Sequence, residues 1–261
     1  MLNKINRKNT KIYYKGKNKK AILILNGFAT SLTETDLVFN YFKKKGYTVA
    51  RPKFHTESLG SEKSRKCGPE EWLVEAKAWL KELEIESDGV YIIGYSFGSN
   101  LGASLLVNNR KKIKGFVGIE MPVIFNCKFL FLARVVQPIF NFFKIKQVRK
   151  DSVWYRGKKA NIELEEEGYS YVRVDLAGLI RDYVNKRTKV ELMRIKTPFL
   201  IVQAVKSDVL AANNAKYIYD KLMSEKKEVY YVPLENHDFN LLDDANKVIM
   251  LEKIFHFINE I

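Results

Sequence analysis

Short apolar runs alternate with helix-like segments along most of this chain, and this alternation restricts the possible folds more than any other feature. Residues 21–26, 89–94 and 198–203 have the length and apolar character of buried strands. After Pro69, apolar residues recur at helical spacing and fall on one face: Trp72, Leu73, Ala76, Trp79, Leu80 and Leu83. Strands that alternate with helices predict an α/β fold, with a mostly parallel sheet and helices on both faces.

The alternation is interrupted between residues 121 and 197. This stretch is too long for a loop between two strands, and it contains an aromatic segment flanked by lysines and a helical pattern. We therefore expect residues 1–120 and 198–261 to form one α/β core. Residues 121–197 are expected to form an inserted cap or lid subdomain.

The chain has 45 Lys and Arg residues against 30 Asp and Glu residues, a formal net charge of +15. Such a charge can attract nucleic acid or an anionic membrane surface. The basic residues are scattered and no nucleic-acid-binding motif accompanies them, so solvated surface charge is the first interpretation. Peripheral contact with an anionic membrane is the second, and residues 129–150, which mix apolar and basic side chains, are its candidate segment.

Neither the start of the chain nor its cysteines indicate export. The first 20 residues are basic and polar, and the apolar run that follows is too short for the core of a signal peptide. No segment approaches the roughly 20 apolar residues of a membrane span. Cys67 and Cys127 have no spacing typical of a metal site. A cytoplasmic protein with two free thiols, no metal and no cofactor is expected.

Residues 94–98 (GYSFG) form a G-x-S-x-G motif between an apolar strand and a helical pattern. In that setting the serine lies on a tight turn that presents its hydroxyl at the edge of the sheet. Side chains at Gly94 or Gly98 would collide with the neighbouring strand or helix. Ser96 is therefore the candidate nucleophile, and the alternative is a plain strand-to-helix turn.

A serine nucleophile needs a general base, and the chain has three histidines. His256 lies in the last helical pattern and His55 in a loop, where structural roles are the more common. His237 follows the last predicted strand, at the edge of the sheet where Ser96 is presented. His237 is therefore the candidate base.

The carboxylate that orients the base is expected on the loop after residues 198–203, in the chain order Ser, acid, His. Asp208 is the only carboxylate on that loop, and Glu120, after another predicted strand, is the next candidate. A tetrahedral intermediate also needs backbone N–H donors for its oxyanion. Phe97 supplies one because it follows Ser96, and Phe28 is our choice for the second, with Ala29 as the alternative.

With these residues placed, the chain resembles the monoacylglycerol lipase and carboxylesterase branch of the α/β-hydrolases, the small bacterial esterases in particular. The similarity is clearest in AILILNGFATS, VYIIGYSFGSNLG and VYYVPLENHDFNLLD, which occur in the order of the family. The resemblance implies that Ser96 is the nucleophile and His237 the base, with oxyanion donors at Phe28 and Phe97. It also implies a helical cap over an apolar acyl pocket.

Three positions depart from the pattern of that family. Asn26 replaces the usual histidine before glycine, and Ser99 replaces a common second glycine after the motif. Ser207 lies where an ungapped alignment expects the acid, whereas related hydrolases with a Ser-Asp-x-Leu motif would put the acid at Asp208.

The resemblance implies hydrolysis of small-molecule acyl esters, either monoacylglycerols or short- to medium-chain esters, through an acyl-enzyme on Ser96. Aromatic residues in the predicted cap suggest an apolar acyl group, but a cluster of this kind is more often simply core. Two alternatives remain. One is thioester hydrolysis or acyl transfer on the same residues, and the other is a non-catalytic protein of this fold that binds lipid or a partner.

Overall fold

The computed structural model describes residues 12–28, 30, 32–54, 67–107, 112–126, 147–149 and 171–261. Its strands are β1 Tyr13–Tyr14, β2 Lys20–Leu25, β3 Thr48–Ala50, β4 Gly89–Tyr95, β5 Ile113–Ile119, β6 Gln147–Arg149, β7 Tyr171–Arg173, β8 Phe199–Ala204 and β9 Lys227–Val232. Seven of them form a sheet in the order β1-β3-β2-β4-β5-β8-β9. Every neighbouring pair in it is parallel except β1 and β3. The predicted α/β fold with a mostly parallel sheet is confirmed.

Helices cover both faces of this sheet. They are α1 Asp36–Lys44, α2 Pro69–Glu86, α3 Phe97–Leu106, α4 Val174–Tyr183, α5 Lys189–Leu192, α6 Asn214–Lys221 and α7 Asp244–Asn259. Successive side chains of a strand point to opposite faces, so each strand contributes to two cores. In β2, Leu23 and Leu25 pack in a core with α2 and α3, whereas Ile22 and Ile24 pack in the other core with α1 and α7.

Helix α2 begins where the sequence predicts. The backbone N–H of Gly68 donates a hydrogen bond of 2.8 Å to Oε2 of Glu71, and Pro69 occupies the first turn. Proline is favoured there because a first-turn N–H has no partner within the helix. The predicted apolar face is buried: Trp72, Leu73, Ala76, Trp79, Leu80 and Leu83.

The structure describes only part of the predicted cap. Strands β6 and β7 pair with each other and not with the main sheet. Helices α4 and α5, joined by the π-helical turn Val184–Thr188, pack against the core: Ile180 and Val184 join the same apolar cluster as α2 and α3. Residues 127–146, which include most of the candidate membrane segment, lie outside the described part of the chain. The boundaries at 121 and 197 remain a prediction.

Among the described residues, no helix combines the length and the apolar character that a membrane span requires.

Candidate active site

The carboxyl ends of four strands meet at one edge of the sheet. Strands β4, β5, β8 and β9 lie side by side in that order. Each is followed by a polar residue of the candidate site: Ser96 after β4, Glu120 after β5, Ser207 after β8 and His237 after β9. Parallel strands bring such residues together because their carboxyl ends share an edge, which is where ligands of open α/β sheets bind.

The turn that carries Ser96 has the strained geometry predicted from the motif. Ser96 has φ 49° and ψ −126°, a backbone conformation that residues other than glycine seldom adopt. A Cβ at Gly94 would lie 2.4 Å from Cα of Ser99, and a Cβ at Gly98 would lie 2.0 Å from the carbonyl oxygen of Leu25. Both glycines are therefore required by close backbone approach, as the sequence indicates.

His237 bridges the serine and a carboxylate. Its Nε2 lies 2.9 Å from Oγ of Ser96, and its Nδ1 lies 2.8 Å from Oε2 of Glu120. An ionised carboxylate can only accept hydrogen bonds, so the proton of the neutral imidazole belongs on Nδ1. Nε2 is then free to accept the hydroxyl proton of Ser96. The structure thus brings together Ser96 and His237, as predicted, with Glu120 as the carboxylate.

Asp208 does not contact the imidazole, and this part of the sequence prediction is wrong. Its Oδ1 accepts a 2.9 Å hydrogen bond from the backbone N–H of His237, and its side chain is exposed. The physical reason is the direction of the loop after β8. Ser207 points inward and is buried, so the residue that follows it faces solvent.

Glu120 is fully buried and is held by hydrogen bonds at both carboxylate oxygens. Its Oε1 accepts from the backbone N–H of Ala204 at 2.7 Å, and its Oε2 accepts from Oγ of Ser207 at 2.6 Å. A buried carboxylate is costly unless such bonds satisfy it. The backbone of Glu120 has φ 49°, so it is the second strained residue of this edge besides Ser96.

The surroundings of His237 change its basicity. Burial by itself lowers the pKa of His237, but the hydrogen bond and the negative charge of Glu120 outweigh it. With smaller contributions from Glu34 and Asp208, the net result is a pKa above the ordinary value of 6.5. The site therefore stabilises a protonated imidazole, the species that forms when a base takes up a serine proton.

Tyr95 anchors the loop that carries the histidine, a role that the sequence did not suggest because it is a variable position of the motif. Its hydroxyl donates a short hydrogen bond to the carbonyl oxygen of His237 and accepts one of 3.4 Å from the N–H of Phe239. Burial, the largest cause, raises the pKa of Tyr95 well above its ordinary value, so the hydroxyl keeps its proton.

The turn after β2 passes close to the nucleophile. A Cβ at Gly27 would lie 3.2 Å from Cβ of Ser96. Phe28 follows directly, and Phe97 begins helix α3 on the other side of the serine. Their backbone N–H groups remain our predicted oxyanion donors, and the alternative, Ala29, lies outside the described residues.

Four aromatic rings form a continuous wall beside these donors. Ring centroids are 6.0 Å apart for Phe28 and Trp72, 6.0 Å for Trp72 and Phe97, and 5.4 Å for Phe97 and Tyr183. The wall connects the turn after β2 to helix α4; Trp72, Phe97 and Tyr183 are buried in the core, and Phe28 is half-buried. In the part of the chain that the structure describes, no cluster of three or more His, Cys, Asp or Glu side chains is placed to hold a metal ion.

Comparison with known proteins agrees with this architecture. No family model matches the chain. A carboxylesterase of Bacillus subtilis (strain 168) is 22% identical over 248 residues, 93% of each chain. A solved structure from work on LipS and LipT, two metagenome-derived lipolytic enzymes, has a TM-score of 0.78 at 21% identity, covering 96% of this chain and 97% of that one. The monoacylglycerol lipase of Paleococcus ferrophilus has a TM-score of 0.70 at 13% identity, covering 94% and 99%.

These similarities and the strand order define an α/β-hydrolase fold, as the resemblance in sequence implied.

Proposed function

We propose that this protein hydrolyses carboxylic esters through an acyl-enzyme formed on Ser96. The observation that carries the proposal is the alignment of three side chains. Oγ of Ser96 lies 2.9 Å from Nε2 of His237, whose Nδ1 lies 2.8 Å from Oε2 of the buried Glu120. This is the arrangement of nucleophile, base and orienting acid that serine hydrolases use.

The first half of the reaction forms the acyl-enzyme. The hydroxyl proton of Ser96 moves to Nε2 of His237 as Oγ attacks the ester carbonyl carbon. The oxyanion accepts hydrogen bonds from the backbone N–H groups of Phe97 and Phe28. The intermediate then collapses, its carbon–oxygen bond to the alcohol breaks, and Nε2 returns the proton to the departing alkoxide.

The second half releases the acid. A water molecule gives a proton to His237 and attacks the acyl carbon, and Ser96 recovers its proton as the ester bond to Oγ breaks. In both halves the carboxylate of Glu120 stabilises the imidazolium and keeps the ring in the productive tautomer. Asp208 acts on the backbone of His237, so we assign the orienting acid to Glu120 and a loop-anchoring role to Asp208.

Two observations favour a small-molecule ester with an apolar acyl group. Phe28 is the half-buried end of the otherwise buried aromatic wall, and it directly follows Gly27, whose Cβ position lies 3.2 Å from Cβ of Ser96. The similar proteins include a carboxylesterase and a monoacylglycerol lipase. A cap over residues 121–197, a cytoplasmic location and contact of the basic segment with an anionic membrane remain further parts of this proposal.

The test is a substrate panel run on the wild-type protein and on Ser96→Ala. The panel contains p-nitrophenyl esters of increasing chain length, a monoacylglycerol, an acyl thioester and an ester with an alcohol acceptor. We expect ester hydrolysis by the wild-type protein and none by the variant. A marked preference for the thioester, or for transfer to the alcohol, would replace ester hydrolysis by one of those reactions on the same residues. Turnover retained by Ser96→Ala would contradict a serine mechanism.

A further inference from the structure

The hydroxyl of Ser207 has one direction left in which to donate its proton. Its Oγ accepts hydrogen bonds from the backbone N–H groups of Val209 at 3.3 Å and Leu210 at 3.2 Å. A hydroxyl has two acceptor lone pairs and one proton, so these bonds use its acceptor capacity. The proton therefore points to Oε2 of Glu120, 2.6 Å away.

Ser207 and His237 meet on the same oxygen atom. Oε2 of Glu120 accepts from Oγ of Ser207 at 2.6 Å and lies 2.8 Å from Nδ1 of His237, whereas Oε1 is occupied by the N–H of Ala204. Each donor stabilises part of the negative charge on that oxygen. The more charge the serine stabilises, the less remains to hold a proton on the imidazole.

We propose that Ser207 is a positioning residue for the reaction: it fixes the carboxylate of Glu120 and limits how tightly the His237–Glu120 pair holds its proton. The geometry explains both effects. Bonds at both oxygens prevent the carboxylate from rotating away from the imidazole. The hydrogen bond from the serine also satisfies an oxygen of this fully buried carboxylate. The inference rests on the proposed function, because it assigns a role within that site.

A matched pair of variants separates the hydroxyl from the shape of the side chain. Ser207→Thr keeps a hydroxyl. Ser207→Val introduces a side chain of nearly the same volume as threonine but without a hydroxyl. We expect Ser207→Val to lower kcat about tenfold, as for the loss of one hydrogen bond to a charged group, and Ser207→Thr to recover most of the loss. Ser207→Ala, which adds no atoms, should behave like the valine variant.

The pH profile provides the readout that a merely structural role would not give. Without the serine bond, the pair binds its proton more tightly, so the acid limb of kcat/KM should move to higher pH in Ser207→Val and Ser207→Ala. It should stay near the wild-type position in Ser207→Thr. A site that had only loosened would lose contact between Glu120 and His237, and its acid limb would move to lower pH.

An acid limb that stays in place or moves to lower pH in folded Ser207→Ala would overturn the inference, as would equal impairment of folded threonine and valine variants. If neither Ser207→Thr nor Ser207→Val folds, the acid limb of kcat/KM in Ser207→Ala decides alone. The proposed function is tested separately by Ser96→Ala. An inactive Ser96→Ala together with unaffected Ser207 variants would remove only the role of Ser207.

Discussion

Nδ1 of His237 lies 2.8 Å from Oε2 of Glu120, a buried carboxylate that directly follows the strand next to the one carrying Ser96. The loop after β8, where the acid was expected, contributes instead a hydroxyl to Glu120 and a carboxylate to the backbone of His237. The residues of the site are thus shared among four neighbouring strands.

Replacing Glu120 should impair catalysis far more than replacing Asp208. Glu120→Gln keeps the size of the side chain but removes the charge that stabilises the imidazolium, and its amide can impose the wrong tautomer. We expect kcat to fall about 10³- to 10⁴-fold. Asp208→Asn keeps an oxygen that can accept from the N–H of His237, so its kcat should fall about tenfold at most.

The measurement is kcat on one short-chain ester for both variants, after circular dichroism has shown that each is folded. A deeper loss in Asp208→Asn than in Glu120→Gln would return the role of orienting acid to Asp208.

The same carboxylate should set the pKa of His237. The net effect of the site raises that pKa above 6.5, because the bond and charge of Glu120 outweigh burial. A group whose pKa is raised in this way is deprotonated only at higher pH. Glu120→Gln removes the two largest raising causes, whereas burial and the smaller contributions of Glu34 and Asp208 remain, so the pKa of His237 should fall below the wild-type value.

An NMR titration of the imidazole C–H proton of His237 checks this directly. The chain has only three histidines, so few signals overlap. The titration also works on an inactive variant. A pKa that is unchanged, or higher, in Glu120→Gln would show that Glu120 does not control the base.

Tyr95→Phe should loosen the loop of His237 without changing the apolar core. The ring stays, but the carbonyl of His237 and the N–H of Phe239 both lose the hydroxyl that they contact. We expect a loss of about 1 to 2 kcal/mol in the free energy of unfolding, with kcat reduced several-fold. Tyr91→Phe is the matched control, because Tyr91 lies four residues earlier on the same strand and in the same core cluster.

Urea denaturation and kcat are measured for both tyrosine variants. Equal effects of the two substitutions on kcat would contradict a specific role of Tyr95 in holding the histidine.

Periodicity and the glycine motif were enough to predict much of the fold and two residues of the candidate site. Apolar runs marked the strands because their side chains are buried on both faces of a parallel sheet. The spacing of Gly94 and Gly98 predicted the turn of Ser96, since a Cβ at either position would collide with nearby backbone. His237 could be chosen because it follows the last strand.

The acid could not be assigned from chain order alone. Glu120 and Asp208 both lie between Ser96 and His237 in sequence and both follow strands, so the order Ser, acid, His admits either. The deciding fact is that Ser207 points inward, which turns Asp208 to solvent, and no pattern in the sequence reports this direction. One signal was available: Glu120 directly follows an apolar strand, and a carboxylate buried there needs a hydrogen-bonding partner.

The central claim, an acyl-enzyme on Ser96, is tested most directly by the site of covalent modification. The protein is treated with a fluorophosphonate, which reacts with a serine activated by a neighbouring base, and the modified peptide is mapped by mass spectrometry beside Ser96→Ala. We predict a single adduct on Ser96 in the wild-type protein and no adduct in the variant. An adduct on another residue, or equal labelling of Ser96→Ala, would contradict the account.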